Sequence, residues 1–140
     1  MITYKNTQFI GKEVVCHKDF KPLLDLMNDK AKELNLKIYV TSSLRHNTNV
    51  KGAIVTPSKM SNHLVGHAID CNIVEVGKWW NSSKLKTPKG KVLEFIEYCR
   101  SIGIRWGGYF NTPDTVHFDS GLNTSNPKRY KEILTAIKKH

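Results

Sequence analysis

Ser61-Asn62-His63-Leu64-Val65-Gly66-His67-Ala68-Ile69-Asp70-Cys71-Asn72-Ile73-Val74 is a polar turn that passes directly into an alternating stretch. From Ala68 the alternation predicts a half-buried strand, with Ile69, Cys71 and Ile73 on one face and Asp70 and Asn72 on the other. His63 precedes Asp70 in a loop holding Gly66, where the backbone can turn back. A second alternating run, Val116-His117-Phe118-Asp119, is entered through Asp114-Thr115. Side chains of one parity on adjacent strands meet across the pair, so Asp70 and His117 can share a face.

Working outward, Phe9-Ile10 and Val14-Val15-Cys16 predict an edge strand or extended lead-in. Leu23, Leu24, Met27, Ala31 and Leu34 recur at helical spacing, and Pro22 fits only a first turn, so a helix runs from about Asp19 to Leu34. Lys37-Ile38-Tyr39-Val40-Thr41-Ser42-Ser43 is β-branched and aromatic, hence a strand. It leads through Leu44-Arg45-His46 into a polar loop reaching about Ser61. Trp79-Trp80 through Gly90 reads as irregular. Val92, Phe95, Ile96, Cys99 and Ile102 form a second helix face closed by Gly103. Ile104-Arg105-Trp106 is short and extended before the Gly107-Gly108 turn, and Pro127 to Lys138 reads as a terminal helix. Regular βαβ alternation is absent. The expectation is therefore one α+β domain over residues 1–140, with a small mainly antiparallel sheet. Three helices would pack on one face, leaving the other to Asp70 and His117 as the site face.

Hydrophobic content of 39% and charged content of 24% suit a soluble globular chain rather than a disordered one. No apolar run reaches membrane-spanning length and no signal-peptide core opens the sequence, so the expectation is synthesis in the cytoplasm. Cys16, Cys71 and Cys99 are odd in number and widely spaced, which argues against a disulfide framework or a cysteine-rich zinc knuckle. The net charge of +10 predicts attraction to a polyanion. The basic residues are dispersed, and no nucleic-acid-binding fingerprint accompanies them, so no specific nucleic-acid partner is expected.

The chemistry lies in the two alternating runs. His63, Asp70 and His117 offer two imidazoles and a carboxylate, and such a nitrogen and oxygen set with an open fourth position is how a catalytic zinc is held. Either histidine alone would more often be an ordinary core or surface residue; the joint pattern carries the metal reading. Asp114 reads as a general base or as a turn aspartate after Pro113, and local sequence does not separate the two. Arg45 reads as a carboxylate or oxyanion partner, or as a solvated arginine. His46 and His67 stand behind these as alternative ligands or donors, and Cys71 belongs to the core. Trp79, Trp80, Trp106, Tyr109 and Phe110 are packing residues or the walls of a cleft.

Ser61-x-His63-x-x-Gly66-x-Ala68-x-Asp70, then Trp106-Gly107-Gly108, then Asp114-x-x-His117-Phe118, resemble the zinc D-Ala-D-Ala carboxypeptidase and L-alanyl-D-glutamate endopeptidase family, which includes phage endolysins. The resemblance spans roughly Val40 to Asp119. It implies a Zn2+ cofactor on His63, Asp70 and His117, with Asp114 as the catalytic carboxylate and Arg45 near the substrate-carboxylate arginine. It also implies that Ser61 supports the His63 loop and that Trp106 belongs to the second sphere or substrate wall. Two departures stand out. Asp119 occupies a position where Glu or Gln is usual, and the Arg45 region reads Ser42-Ser43-Leu44-Arg45-His46 instead of Gly-Tyr/Phe-Arg-Ser.

The implied activity is hydrolysis of peptidoglycan stem peptides by a monomeric enzyme that reaches the cell wall after release from the cell. The alternative is a non-catalytic zinc-containing binding module of the hedgehog type. Asp114 favours the enzyme, because a purely structural zinc needs no spare carboxylate.

Overall fold

The computed structural model describes residues 1–46 and 60–138. Within it the chain forms β1 (Ile2–Tyr4), β2 (Phe9–Gly11), β3 (Val14–Cys16), α1 (Lys21–Glu33), β4 (Leu36–Ser42), β5 (Ala68–Glu75) and β6 (Lys78–Trp80). Then follow α2 (Gly90–Ser101), β7 (Arg105–Trp106), β8 (His117–Asp119), α3 (Leu122–Ser125) and α4 (Pro127–Lys138). The polar loop expected up to Ser61 falls mostly on residues 47–59, outside the described residues.

β5 is the strand read first, and it is central. It pairs antiparallel with β4 along one edge and with β8 and β6 along the other. The sheet order is β2-β4-β5-β8-β7 with β6 beside β5, while β1 and β3 form a separate antiparallel ribbon. The sheet is mixed, since β2 runs parallel to β4. The intervening β3 and α1 supply the long crossover that a parallel pair requires.

The predicted parity of β5 sets the layers. Ile69, Cys71 and Ile73 are fully buried, together with Ile38 and Val40 of β4 and Phe118 of β8. Onto them pack Leu24, Met27 and Ala31 of α1 and Val92, Phe95, Ile96 and Cys99 of α2, all fully buried. Phe95 meets Phe118 edge to face, with ring centroids 6.2 Å apart. The opposite side of β5 carries Asp70 and Asn72.

The structure departs from three expectations. Four α-helices form among the described residues instead of three, and only α1 and α2 cover the sheet face. Because those two already fill that face, α4 turns its apolar side, Tyr130 and Ile133, onto Val65 in the short 3-10 turn Asn62–Val65. The segment after Trp79 is also not wholly irregular: Lys78–Trp80 folds back on β5 as a hairpin closed by Val76-Gly77.

Candidate metal centre

Asp70 and His117 face one another in register on β5 and β8. His63 joins them from the 3-10 turn Asn62–Val65. Ser61 Oγ accepts from the His63 backbone N–H at 3.2 Å, and Gly66 ends the turn in the left-handed conformation. A side chain at Gly66 would run into the backbone nitrogen of His17, so glycine is required there on two counts. The His63, Asp70 and His117 side chains are all buried, and one ligand atom from each lies within 4.8 Å of the others.

Each imidazole commits one nitrogen outward. His63 Nδ1 donates to the Ser43 carbonyl at 2.6 Å, and His117 Nε2 donates to Asp119 Oδ2 at 2.6 Å. The remaining nitrogens, His63 Nε2 and His117 Nδ1, both face Asp70 Oδ1, at 3.1 and 3.3 Å. Two neutral imidazoles in these tautomers would aim lone pairs at a carboxylate, an arrangement that calls for a cation among them. The separations are close to the edge of a tetrahedron built on ~2.0–2.1 Å bonds, about 3.3 Å. A backbone carbonyl and a carboxylate behind the ligating histidines are the partners that fix tautomer and ring orientation in metal sites. The donor set therefore fits a divalent ion with mixed nitrogen and oxygen ligands.

Without an ion, a proton on His117 takes the cation's place. Burial disfavours charge on His117, but the Asp119 and Asp70 carboxylates outweigh it and push its pKa up to about 9. Burial also opposes the Asp70 and Asp119 charges. The histidines beside Asp70, and His117 with Arg105 beside Asp119, nonetheless hold both carboxyls well below their usual range. Asp114 goes the other way: burial and the Asp70 charge raise its pKa, against the pull of His117, His63 and Arg45. Its carboxylate makes no hydrogen bond or ion pair among the described residues. Its backbone, by contrast, is fixed, donating to the Gly107 carbonyl at 2.9 Å and accepting from His117 at 3.1 Å. A Cβ on Gly107 would overlap the Asp114 carbonyl oxygen.

The other predicted residues fall as follows. Arg45 donates Nη2 to Asp70 Oδ2 at 2.6 Å and Nε to Ser42 Oγ at 3.0 Å, so it is tied to the carboxylate of the candidate ligand group. Trp106 is buried, and its indole N–H holds the Thr115 carbonyl at 2.8 Å, next to Asp114 in the chain. Trp106, Tyr109 and Phe110 line one cleft with Arg100 and Arg105, and the Phe110 ring lies 5.6 Å from that of His117. Trp80 is buried away from this cleft, and Trp79 stands exposed against Tyr39. His67 and the exposed His46 lie outside the ligand group.

The sequence reading missed Arg105. It forks onto Asp119, and its Nη2 also reaches Asn123 Oδ1 at 3.1 Å. Asn123 is bonded in turn to Asn62, beside His63. The available signal was an arginine on a short strand opposite an aspartate of matching parity, which only the β7–β8 register makes specific.

Residues 55–120 match the family described as D-alanyl-D-alanine carboxypeptidase, a span that contains His63, Asp70, Asp114, His117 and Asp119. A comparison with curated proteins finds no match. Among solved structures, the chain is similar to the Serratia marcescens L-Ala D-Glu endopeptidase ChiX, with 21% identity and a TM-score of 0.49, over 79% of this chain and 84% of that one.

Proposed function

We propose that the chain, whose residues 55–120 match the D-alanyl-D-alanine carboxypeptidase family, is a zinc-dependent peptidase cleaving amide bonds in peptidoglycan stem peptides. The observation that carries this reading is the pairing of a convergent His63–Asp70–His117 donor set with an uncommitted carboxylate, Asp114, in its field. Zinc held by these three residues would supply Lewis acidity toward a substrate carbonyl and a water molecule.

The chain's own groups do the rest. Asp114 sits where burial makes it a better base than a surface carboxylate, and it takes the proton of the attacking water and returns it to the departing amine. Asp119 and the Ser43 carbonyl keep the two imidazoles turned toward Asp70. Arg45 steadies Asp70, and its remaining guanidinium N–H groups offer a fork to a substrate carboxylate. The +10 charge holds the enzyme near anionic wall polymers, where it acts after release from the cell in a lysis context of the endolysin kind.

Digestion of purified peptidoglycan by the zinc-loaded protein, read by mass spectrometry of the released muropeptides, tests this reading. New stem-peptide termini that disappear with EDTA and with Asp114→Asn support it. Zinc-loaded protein that binds the wall and leaves every stem peptide intact would refute it in favour of a non-catalytic module.

A further inference from the structure

A second group of side chains lies outside the site just described. One ligand atom each from His17, Asp19 and His67 falls within 4.8 Å of the others. His67 is 3% exposed, and its Nε2 is buried without a hydrogen-bond partner among the described residues. Its Nδ1 is engaged with Ser120 Oγ at 2.8 Å, so the orphaned atom is Nε2. A buried polar atom left unpartnered is costly and rare. Here it belongs to a ring stacked on the imidazole of His17, centroids 5.4 Å apart, with Asp19 alongside.

The placement is built into the backbone. His17 N–H donates to the Gly66 carbonyl at 2.9 Å, pinning residue 17 beside the residue that precedes His67. Gly66 admits this approach only because it lacks a side chain. Asp19 is held from a third element, since Arg129 of α4 donates Nη2 and Nε to its Oδ2 at 3.1 and 3.3 Å. Among the described residues, Asp19 Oδ1 carries no such contact.

We propose that His17, Asp19 and His67 form a second site for a divalent transition-metal ion, separate from the His63–Asp70–His117 group. Two imidazoles and one carboxylate favour zinc, nickel or copper over calcium or magnesium, which prefer all-oxygen shells. Burial, with His17 beside it, lowers the pKa of His67 to about 4, so at neutral pH the ring is in its ligating form. Donation from Nδ1 to Ser120 Oγ leaves the Nε2 lone pair to the ion, and Ser120 is held in turn by the Leu122 N–H. Arg129 competes with the ion for Asp19, which sets this site's affinity below that of the buried triad.

Zinc titration of the metal-free full chain by calorimetry tests the assignment, with His17→Gln, Asp19→Asn, His63→Gln and Arg129→Ala beside the wild type. The wild type should bind one zinc ion more than His17→Gln, and His63→Gln should retain the event that His17→Gln loses. Arg129→Ala should tighten that event roughly two- to fivefold by releasing the carboxylate. Equal zinc stoichiometry in the wild type and His17→Gln overturns the site. An unchanged or weaker second event in Arg129→Ala overturns the role given to Asp19. Should His17→Gln lack a native melting transition, Asp19→Asn, at an exposed position, is the variant compared, and equal stoichiometry there overturns the site in the same way.

Discussion

Asp119 Oδ2 stands 2.6 Å from His117 Nε2, and Arg105 clasps the same carboxylate from the neighbouring strand with Nε on Oδ1 and Nη2 on Oδ2. His117 is thus oriented by a carboxylate that is itself oriented. Asp119→Ala should weaken zinc binding by roughly 10- to 100-fold through loss of that support, as read by chelator competition. Arg105→Ala should move affinity in the same direction by less, since Asp119 keeps its bond from the Gly121 N–H.

Asp114 has no ligand role in the proposed centre. Asp114→Asn should therefore keep zinc affinity near wild type while lowering turnover on peptidoglycan by about 10²- to 10⁴-fold. Parallel loss of zinc and activity would instead make Asp114 a ligand.

Gly107 has no room for a methyl group against the Asp114 carbonyl and His117 Cβ. Gly107→Ala should cost about 1–3 kcal/mol of stability in chemical denaturation. Activity should fall further than stability alone explains, because the displaced backbone carries Asp114.

In metal-free protein, His67 gives stability a pH dependence of definite sign. Its folded pKa of about 4 lies below the ordinary value, so between those limits the unfolded chain binds a proton that the folded chain does not. Its contribution is present in full above about pH 6.5 and is lost as pH falls toward 4, by up to about 3 kcal/mol. Melting in EDTA across that window checks this, since His67→Phe should flatten the slope there. His117 acts in another window with the opposite sign: its raised pKa stabilises the metal-free fold at low pH and ceases to do so as pH rises toward 9.

The alternation of Ile69, Cys71 and Ile73 against Asp70 and Asn72 was enough to place core and site on opposite sides of β5, because the period of a strand is local information. The helix faces of α1 and α2 were legible for the same reason. Contacts that depend on register between short segments were not. The clasp of Arg105 on Asp119 needs a strand of two residues, Arg105–Trp106, whose partner no local pattern identifies. The tie from Arg45 to Asp70 spans 25 residues and competes with plain solvation in any sequence reading. The docking of α4 on Val65 follows from a sheet face already occupied, a property of the assembled core and not of the helix.

The pairing of β5 with β8 has a kinetic consequence. His117 and Asp70 are 47 positions apart, and the β6 hairpin and α2 lie in the segment between them. Before those strands meet, the chain offers an ion local sets such as His63, His67 and Asp70, without His117. The full His63–Asp70–His117 set requires closure of that long loop, which costs more entropy than a local contact. Rapid-mixing refolding should then show high-affinity zinc capture rising in step with burial of the inner sheet face.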